Sequence, residues 1–304
     1  MDMMFLLFKQ NMIMFVYLLL GYFLYRKKLV GKQGSGDIGR MLLYVIMPVA
    51  IVKSYLAEFS MEMLEGLVVS FLAALSSLVL SIIVSRIAFK KEEAVERFGA
   101  AFSNAGFIGI PLVQMTLGAE AVFYVSSFVA LLNILQWTYG VLTITGDPSV
   151  VSFRKIRTNP IVISFVAGLC LFFLPVSLPD MLQSMIGTVA SMNGPLAMIV
   201  LGTYLAQIPL KTIFTEKIVY RCTVVRLIVI PVLTIPLLML FPAKYHLIQL
   251  TVLIAASAPV GSNVAIFAQL YDKDYTRAVK EVCMSTLFCV VTLPIILGIA
   301  NYIL

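Results

Sequence analysis

Long apolar runs, separated by short clusters of charge, set the pattern of this chain. The runs are continuous and do not alternate apolar with polar positions, so they read as helices and not as the strands of a transmembrane barrel. A helix needs about 20 apolar residues to cross the hydrocarbon core of a bilayer. Ten runs qualify, at 3–25, 38–57, 67–89, 98–117, 121–145, 160–175, 181–207, 218–241, 247–271 and 276–302. The pattern predicts an all-α polytopic membrane protein with ten transmembrane helices, the sixth short and the seventh long.

The charges between the runs test that number. Arg26, Lys27, Lys28, Lys32 and Arg40 follow the first run, and Glu58, Glu62 and Glu65 the second. Arg86, Lys90, Lys91 and Arg97 follow the third; Glu120 stands alone after the fourth. The fifth gap holds Arg154, Lys155 and Arg157, and the sixth only Asp180. Lys211, Lys217 and Arg221 come next, then Lys244 with His246, then Lys273, Arg277 and Lys280. Basic and non-basic gaps alternate throughout, and a miscounted helix would break the alternation. The positive-inside rule then puts both termini on the extracytoplasmic side of the cell membrane.

Ten spans divide into two sets of five, and an odd number per set inverts the second against the first. The expected organisation is an N-terminal repeat over 1–146, a basic cytoplasmic linker over 147–159 and a C-terminal repeat over 160–304. The second and seventh runs share a proline and a Tyr-Leu-Ala, in "IMPVAIVKSYLA" and "NGPLAMIVLGTYLA". The fourth and ninth share a serine start, helix breakers and an asparagine, in "SNAGFIGIPLVQ" and "SAPVGSNVAIFAQ".

Those breakers mark the candidate site. Proline has no backbone N–H, so Pro111 and Pro259 each leave a carbonyl one turn back without its helical donor. Gly106 and Gly109 loosen the same turn. Unpaired backbone in lipid is costly and survives only against protein or a wet cavity. Matched interruptions in the two halves point to a binding site near the bilayer midplane. The new helix N-termini offer N–H donors and partial positive charge, which suit an anion such as a carboxylate. Asn104, Ser262 and Asn263 add neutral side-chain hydrogen bonds, and Asn133 in the fifth run joins the candidate set. Proline and glycine also serve as kinks and packing points; Pro231, Pro236 and Pro294 read that way, and Pro48 and Pro195 as hinges.

Composition narrows the class. Of 304 residues, 61% are hydrophobic and 12% charged, more apolar surface than a water-soluble chain can hide. The net charge of +7 comes from the short loops, so it implies no nucleic acid. The first run reads as a retained anchor and not a cleaved signal. Cys170, Cys222, Cys283 and Cys289 all fall in apolar runs and form no metal or disulfide pattern. No cofactor is expected.

The fragments "NAGFIGIPL", "NILQWTYG", "SAPVGSNVAIFAQLY" and "STLFCVVTLPI" together resemble the auxin efflux carrier family, over nearly the full length and in the family's order. That family includes plant auxin carriers and bacterial permeases for malate, malonate and similar acids. The resemblance implies two inverted five-helix repeats, with helices 4 and 9 crossing at their prolines beside a small organic anion. Helices 1, 2, 6 and 7 would form a dimer-supporting scaffold, against which helices 3–5 and 8–10 move as an elevator. Asn104 and Pro111 match the family's helix-4 asparagine and crossing proline, and Pro259 and Gly261 its helix-9 Pro-X-Gly. Val260 stands where plant carriers tend to have glutamine, and their long hydrophilic central loop is missing, so a bacterial organic-acid permease is the better match. The related bile-acid sodium symporters share the architecture, which keeps a sodium site near Asn104, Ser262 and Asn263 open.

Ionisable residues inside spans are costly and draw attention. Arg226 either pairs with a substrate carboxylate or snorkels to the headgroups, and the second is favoured. Lys53 is placed to meet Glu58, and Lys9 to anchor at the outer interface. No acidic residue is expected deep in a span, so proton coupling finds no carrier there. GxxxxGK[ST] and HExxH are absent and the one histidine lies outside the runs, which argues against an ATPase and an intramembrane enzyme. Facilitated transport, sodium coupling and a non-transporting ligand sensor of the same fold remain compatible.

Overall fold

The computed structural model describes residues 3–174, 178–207 and 209–304. Among them every regular element is helical, apart from one isolated bridge between Ser103 and Val260. The principal helices are α1 (Met3–Arg26), α2 (Lys32–Tyr55), α3 (Met61–Ala88), α4 (Ala94–Ala101), α5 (Ala105–Leu117) and α6 (Ala119–Thr145). After them come α7 (Phe153–Arg157), α8 (Pro160–Phe172), α9 (Asp180–Ala206), α10 (Lys217–Leu238), α11 (His246–Ser257), α12 (Asn263–Leu270) and α13 (Tyr275–Ile303). Six of them, α2, α3, α6, α9, α10 and α13, are long and apolar enough to cross a membrane. The segment Pro148–Arg157 and α8 form a seventh candidate, bent by 46°.

The distribution of residues in α3 is that of a helix in lipid. Ser70, Ser77, Ser81 and Ser85 are buried, whereas Val68, Leu72, Val79, Ile83 and Ile87 are exposed. Small hydroxyl side chains face the protein because they let helices approach and satisfy themselves on backbone carbonyls. Ser70 Oγ reaches the Tyr124 carbonyl on α6 at 2.7 Å and Ser127 Oγ at 2.9 Å. The start of α3 is fixed by Ser60, whose hydroxyl accepts from the Met63 amide at 3.1 Å, a normal N-cap.

Two close contacts pair the first helices with those of the second half. Gly21 on α1 lies against the Ile199 backbone of α9, and Gly202 on α9 against the Leu18 and Tyr22 backbone of α1. On α2, the Tyr55 ring fills the groove at Gly168 of α8, where any added Cβ would come within 2.7 Å of it. Tyr55 also ties α2 to α6 through a 2.6 Å hydrogen bond with Ser126.

Three helices carry a widened turn that ends two residues before a proline: Leu42–Ile46 before Pro48, Ala105–Gly109 before Pro111 and Val225–Val229 before Pro231. The cause is shared. Each proline removes one donor from the ladder, and the helix relaxes locally to i→i+5 bonding. In α5 the Gly109 amide donates to Asn104 O at 3.2 Å. A fourth widened turn, Gln136–Gly140 in α6, has no proline beside it.

The structure differs from the sequence expectation around 32–41. That polar stretch is helical and continues into the second span, so Lys32 and Arg40 stand on a helix and not in a loop.

Candidate functional site

The break between α4 and α5 and the break between α11 and α12 meet. The Asn104 amide donates to the Pro259 carbonyl at 2.7 Å, and the Gly261 amide to the Phe102 carbonyl at 3.0 Å. Together with the Ser103–Val260 bridge, they make a short antiparallel crossing of two interrupted helices. Backbone groups that the breaks release are thus paired across the crossing, as burial in an apolar interior requires. The Val260 amide is taken up separately, by Ser285 Oγ of α13 at 3.0 Å. Glycine is needed at 261: a Cβ there would stand 3.0 Å from Ser103 O and 3.1 Å from Phe102 O.

The N-terminal ends of α5 and α12 open on one cleft. The crossing supplies Ser103, Asn104, Gly106 and Phe107 from one side and Gly261, Ser262 and Asn263 from the other. Leu43 and Met47 of α2, Leu132 and Asn133 of α6 and Ile161 of α8 close it. No charged side chain lines the cleft. Its attraction for an anion therefore comes from neutral donors and from two helix N-termini, whose first-turn amides lack intrahelical acceptors. Ser103 Oγ and Asn104 Nδ2 are buried there without a hydrogen-bond partner, which leaves both free to meet a carboxylate oxygen.

Asn104 does two things at once. Its Oδ1 accepts from the Phe107 amide at 3.4 Å and caps α5, which turns its Nδ2 outward as a free donor. Asn263 is committed differently: its Nδ2 donates to Gln136 Oε1 of α6 at 2.8 Å. Asn133 donates to the Val129 carbonyl at 2.8 Å and accepts from Asn159 at 3.2 Å. Asn159 in turn caps α8 through the Ile161 and Val162 amides. Asn133 thus lines the cleft and also anchors the start of α8.

Of the nine residues singled out from sequence, Asn104, Gly106, Gly261, Ser262, Asn263 and Asn133 line the cleft, and Gly109, Pro111 and Pro259 do not. Pro259 contributes its carbonyl to the crossing. Gly109 faces Ala255 of α11, where an added Cβ would make ordinary contact at 3.5 Å from Ala255 Cα. Pro111 packs on Gly194 of α9. Ser103 was within the quoted motif yet carried no separate signal, since a buried serine in a span ordinarily bonds its own helix.

Three ionisable residues correct the sequence expectation. Arg226 does not snorkel: it is 1% exposed. Its Nη1 donates to the carbonyls of Ala100, at 2.9 Å, and Ala101, at 3.4 Å, the last carbonyls of α4. Glu281, the expected blank in the acidic inventory of the spans, is 0% exposed in α13. Lys53 makes no ion pair with Glu58; its ammonium lies along α9 beside Gly187. Charges near the ends of α10 and α13 do pair, with Arg221 on Glu93 at 2.5 Å and Lys280 on Glu216 at 2.5 Å. Arg221 and the Lys90 amide hold the Glu93 carboxyl below its ordinary range, against a desolvation penalty that would raise it.

A protein of Rhizobium meliloti (strain 1021) named "Putative malonate transporter" is 29% identical over 210 residues, which covers 66% of this chain and 65% of that relative. The match therefore spans just under two thirds of the relative's length. The family described as "Membrane transport protein" matches residues 6–297. On that match, which takes in all but the ends of the chain, the protein belongs to this membrane transport family, the auxin efflux carrier family that its two interrupted motifs resemble.

Proposed function

We propose that this chain is a secondary transporter of small organic anions, with the carboxylate held in the cleft at the crossing of α4–α5 and α11–α12. One observation carries the proposal: two helix N-termini and the unpartnered Ser103 Oγ and Asn104 Nδ2 converge on a cleft without charged side chains. Such a site favours an anion without binding it so tightly that release is slow. The name of the rhizobial relative suggests short dicarboxylates of malonate's size as first substrates.

In this proposal α1, α4–α5, α8 and α11–α12 each cross the membrane, and with the six long helices they make ten spans. Two inverted halves, 1–146 and 160–304, flank a cytoplasmic linker, and both termini lie outside. Helices α1, α2, α8 and α9 form the scaffold of a homodimer. The Gly21–Ile199 and Tyr55–Gly168 contacts support their association. The remaining helices carry the cleft past them as an elevator.

Asn104→Ala tests the site. Malonate and succinate are expected to raise the thermal unfolding midpoint of purified wild-type protein, and labelled malonate to exchange in proteoliposomes. The variant should insert and purify yet lose at least tenfold in affinity. Normal binding by Asn104→Ala would refute the site, and binding without flux by the wild type would make the chain a sensor.

A further inference from the structure

Glu281 lies in the second turn of α13, about 9 Å along its axis from the helix start at the rise of a normal helix. The side chain is fully buried, and neither carboxyl oxygen has a hydrogen-bond partner among the described residues. Packing holds it in place. A Cβ added to Gly99 of α4 would stand 2.5 Å from Glu281 Oε2 and 3.3 Å from Val260 Cγ1. The carboxyl and the crossing residue Val260 thus meet over the same bare glycine. Ser285, one turn further along α13, donates to the Glu281 carbonyl at 2.7 Å and accepts from the Val260 amide at 3.0 Å. Ser285 thus links the backbone at Glu281 to the crossing, and the carboxyl itself borders it at Gly99.

The charged and titratable groups around it are few. Cys222 faces it from α10 and Glu96 from α4, with Arg277 and Asp274 at the start of α13. Among the described residues no cation is paired with it. Arg277 is bound to Glu96 at 3.3 Å and Glu216 at 3.0 Å, Lys280 to Glu216, and Arg226 to the carbonyls that end α4. A buried carboxylate with no bonded counter-ion and only the Cys222 thiol as a weak donor is strongly disfavoured against its neutral acid. Arg277 stands four residues before Glu281 on the same face of one helix, within reach of both carboxyls.

Resting on the transport reading above, we propose that Glu281 carries one proton per transport cycle, coupling movement of the anion to the proton gradient. The acid form is the one the present packing accommodates. When the transport part reaches the other face, the proton leaves to water. The carboxylate that remains takes Arg277 from Glu96 as its counter-ion. Reprotonation returns Arg277 to Glu96. With a dianion such as malonate or succinate, one coupled proton leaves one negative charge moving per cycle.

The test uses full-length protein in proteoliposomes with labelled malonate and succinate. Counterflow without gradients measures transport itself. Under an imposed pH gradient, with the membrane potential clamped at zero, the wild type should accumulate anion about tenfold per pH unit, the equilibrium ratio for one coupled proton. Glu281→Gln, a neutral isostere, should lose that accumulation while counterflow stays measurable. Infrared spectra at neutral pH should show a carboxylic-acid C=O stretch that Glu281→Gln removes. Accumulation by Glu281→Gln, survival of that band in the variant, or wild-type counterflow that follows a sodium gradient and ignores pH would each overturn the proposal. If the variant does not purify, the wild-type gradient dependence decides alone. Absence of wild-type counterflow defeats the transport reading instead, and is told apart by the gradient-free measurement.

Discussion

Arg226 Nη1 lies 2.9 Å from the carbonyl oxygen of Ala100, so a buried guanidinium on α10 closes the C-terminal end of α4 just before the crossing. A cation there complements the helix dipole and supplies donors that the broken ladder has lost. Arg226→Met keeps much of the volume and removes the donors, which strips two buried carbonyls of their partner. The expected cost is about 1–3 kcal/mol, read as a lower unfolding midpoint in detergent. Arg226→Lys, with a single point of contact, should recover part of it. A methionine variant as stable as the wild type would show that these bonds carry no weight.

Gly261→Ala should act on the crossing itself. The new methyl would meet two carbonyl oxygens at 3.0 and 3.1 Å, and neither belongs to a flexible side chain. The two interrupted helices must part by a few tenths of an ångström, which weakens the Gly261–Phe102 and Asn104–Pro259 bonds. Transport is expected to fall by at least tenfold, because sites of this kind lose activity on displacements well below an ångström. The protein should still insert, since the lipid-facing surface is unchanged. Counterflow at the wild-type rate would mean that the crossing tolerates widening.

How much of this was legible beforehand depended on the kind of signal. The two breaks were visible because Pro111, Pro259 and the neighbouring glycines interrupt otherwise uniform apolar runs. The cleft was visible through Asn104, Ser262 and Asn263, polar residues with no reason to stand in a lipid-facing turn. Which breaker lines the cleft was not, because Gly109 and Pro111 differ from Gly106 only in the face they occupy after the widened turn. Arg226 was misjudged because a long side chain two turns from a span end can reach water in an isolated helix. Its burial depends on α4 ending beside it. Glu281 was overlooked for a related reason: Lys273, Arg277 and Lys280 make the region read as loop, while α13 begins at Tyr275 and packs its polar first turns on Gly99 and Cys222.

Glu216 should give the protein an acid-sensitive edge. Its carboxylate is held below the ordinary range, chiefly by the Lys280 ammonium at 2.5 Å and then by Arg277. A carboxyl with a lower pKa folded than unfolded adds stability above its unfolded value, about 4.3 for glutamate. That stability is lost as the pH falls through the depressed folded value. The pair is about one third exposed on the glutamate side, so solvent screening limits the effect to about 1 kcal/mol or less. Glu216→Gln is expected to lower the unfolding midpoint slightly at neutral pH and to flatten its decline on the acid side. An unchanged acid profile in the variant would assign that decline to other carboxylates.

Two glycines on neighbouring elements should respond in opposite directions. Gly36 stands inside the first, polar stretch of α2 with nothing within 4 Å of an added Cβ. Its replacement by alanine removes backbone freedom from the unfolded chain and clashes with nothing. Gly36→Ala should therefore stabilise by about 0.5–1 kcal/mol. Gly202 is the reverse case, since an added Cβ would overlap the Leu18 carbonyl and the Tyr22 amide of α1. Neither backbone can move aside without separating α1 from α9 along their length. Gly202→Val should abolish a monodisperse elution profile in detergent, while Gly36→Ala elutes as the wild type and melts later. If Gly202→Val also purified with a wild-type melting point, the close pairing of α1 and α9 would not be a condition of folding, and the scaffold would have to be held by the Tyr55–Gly168 contact alone.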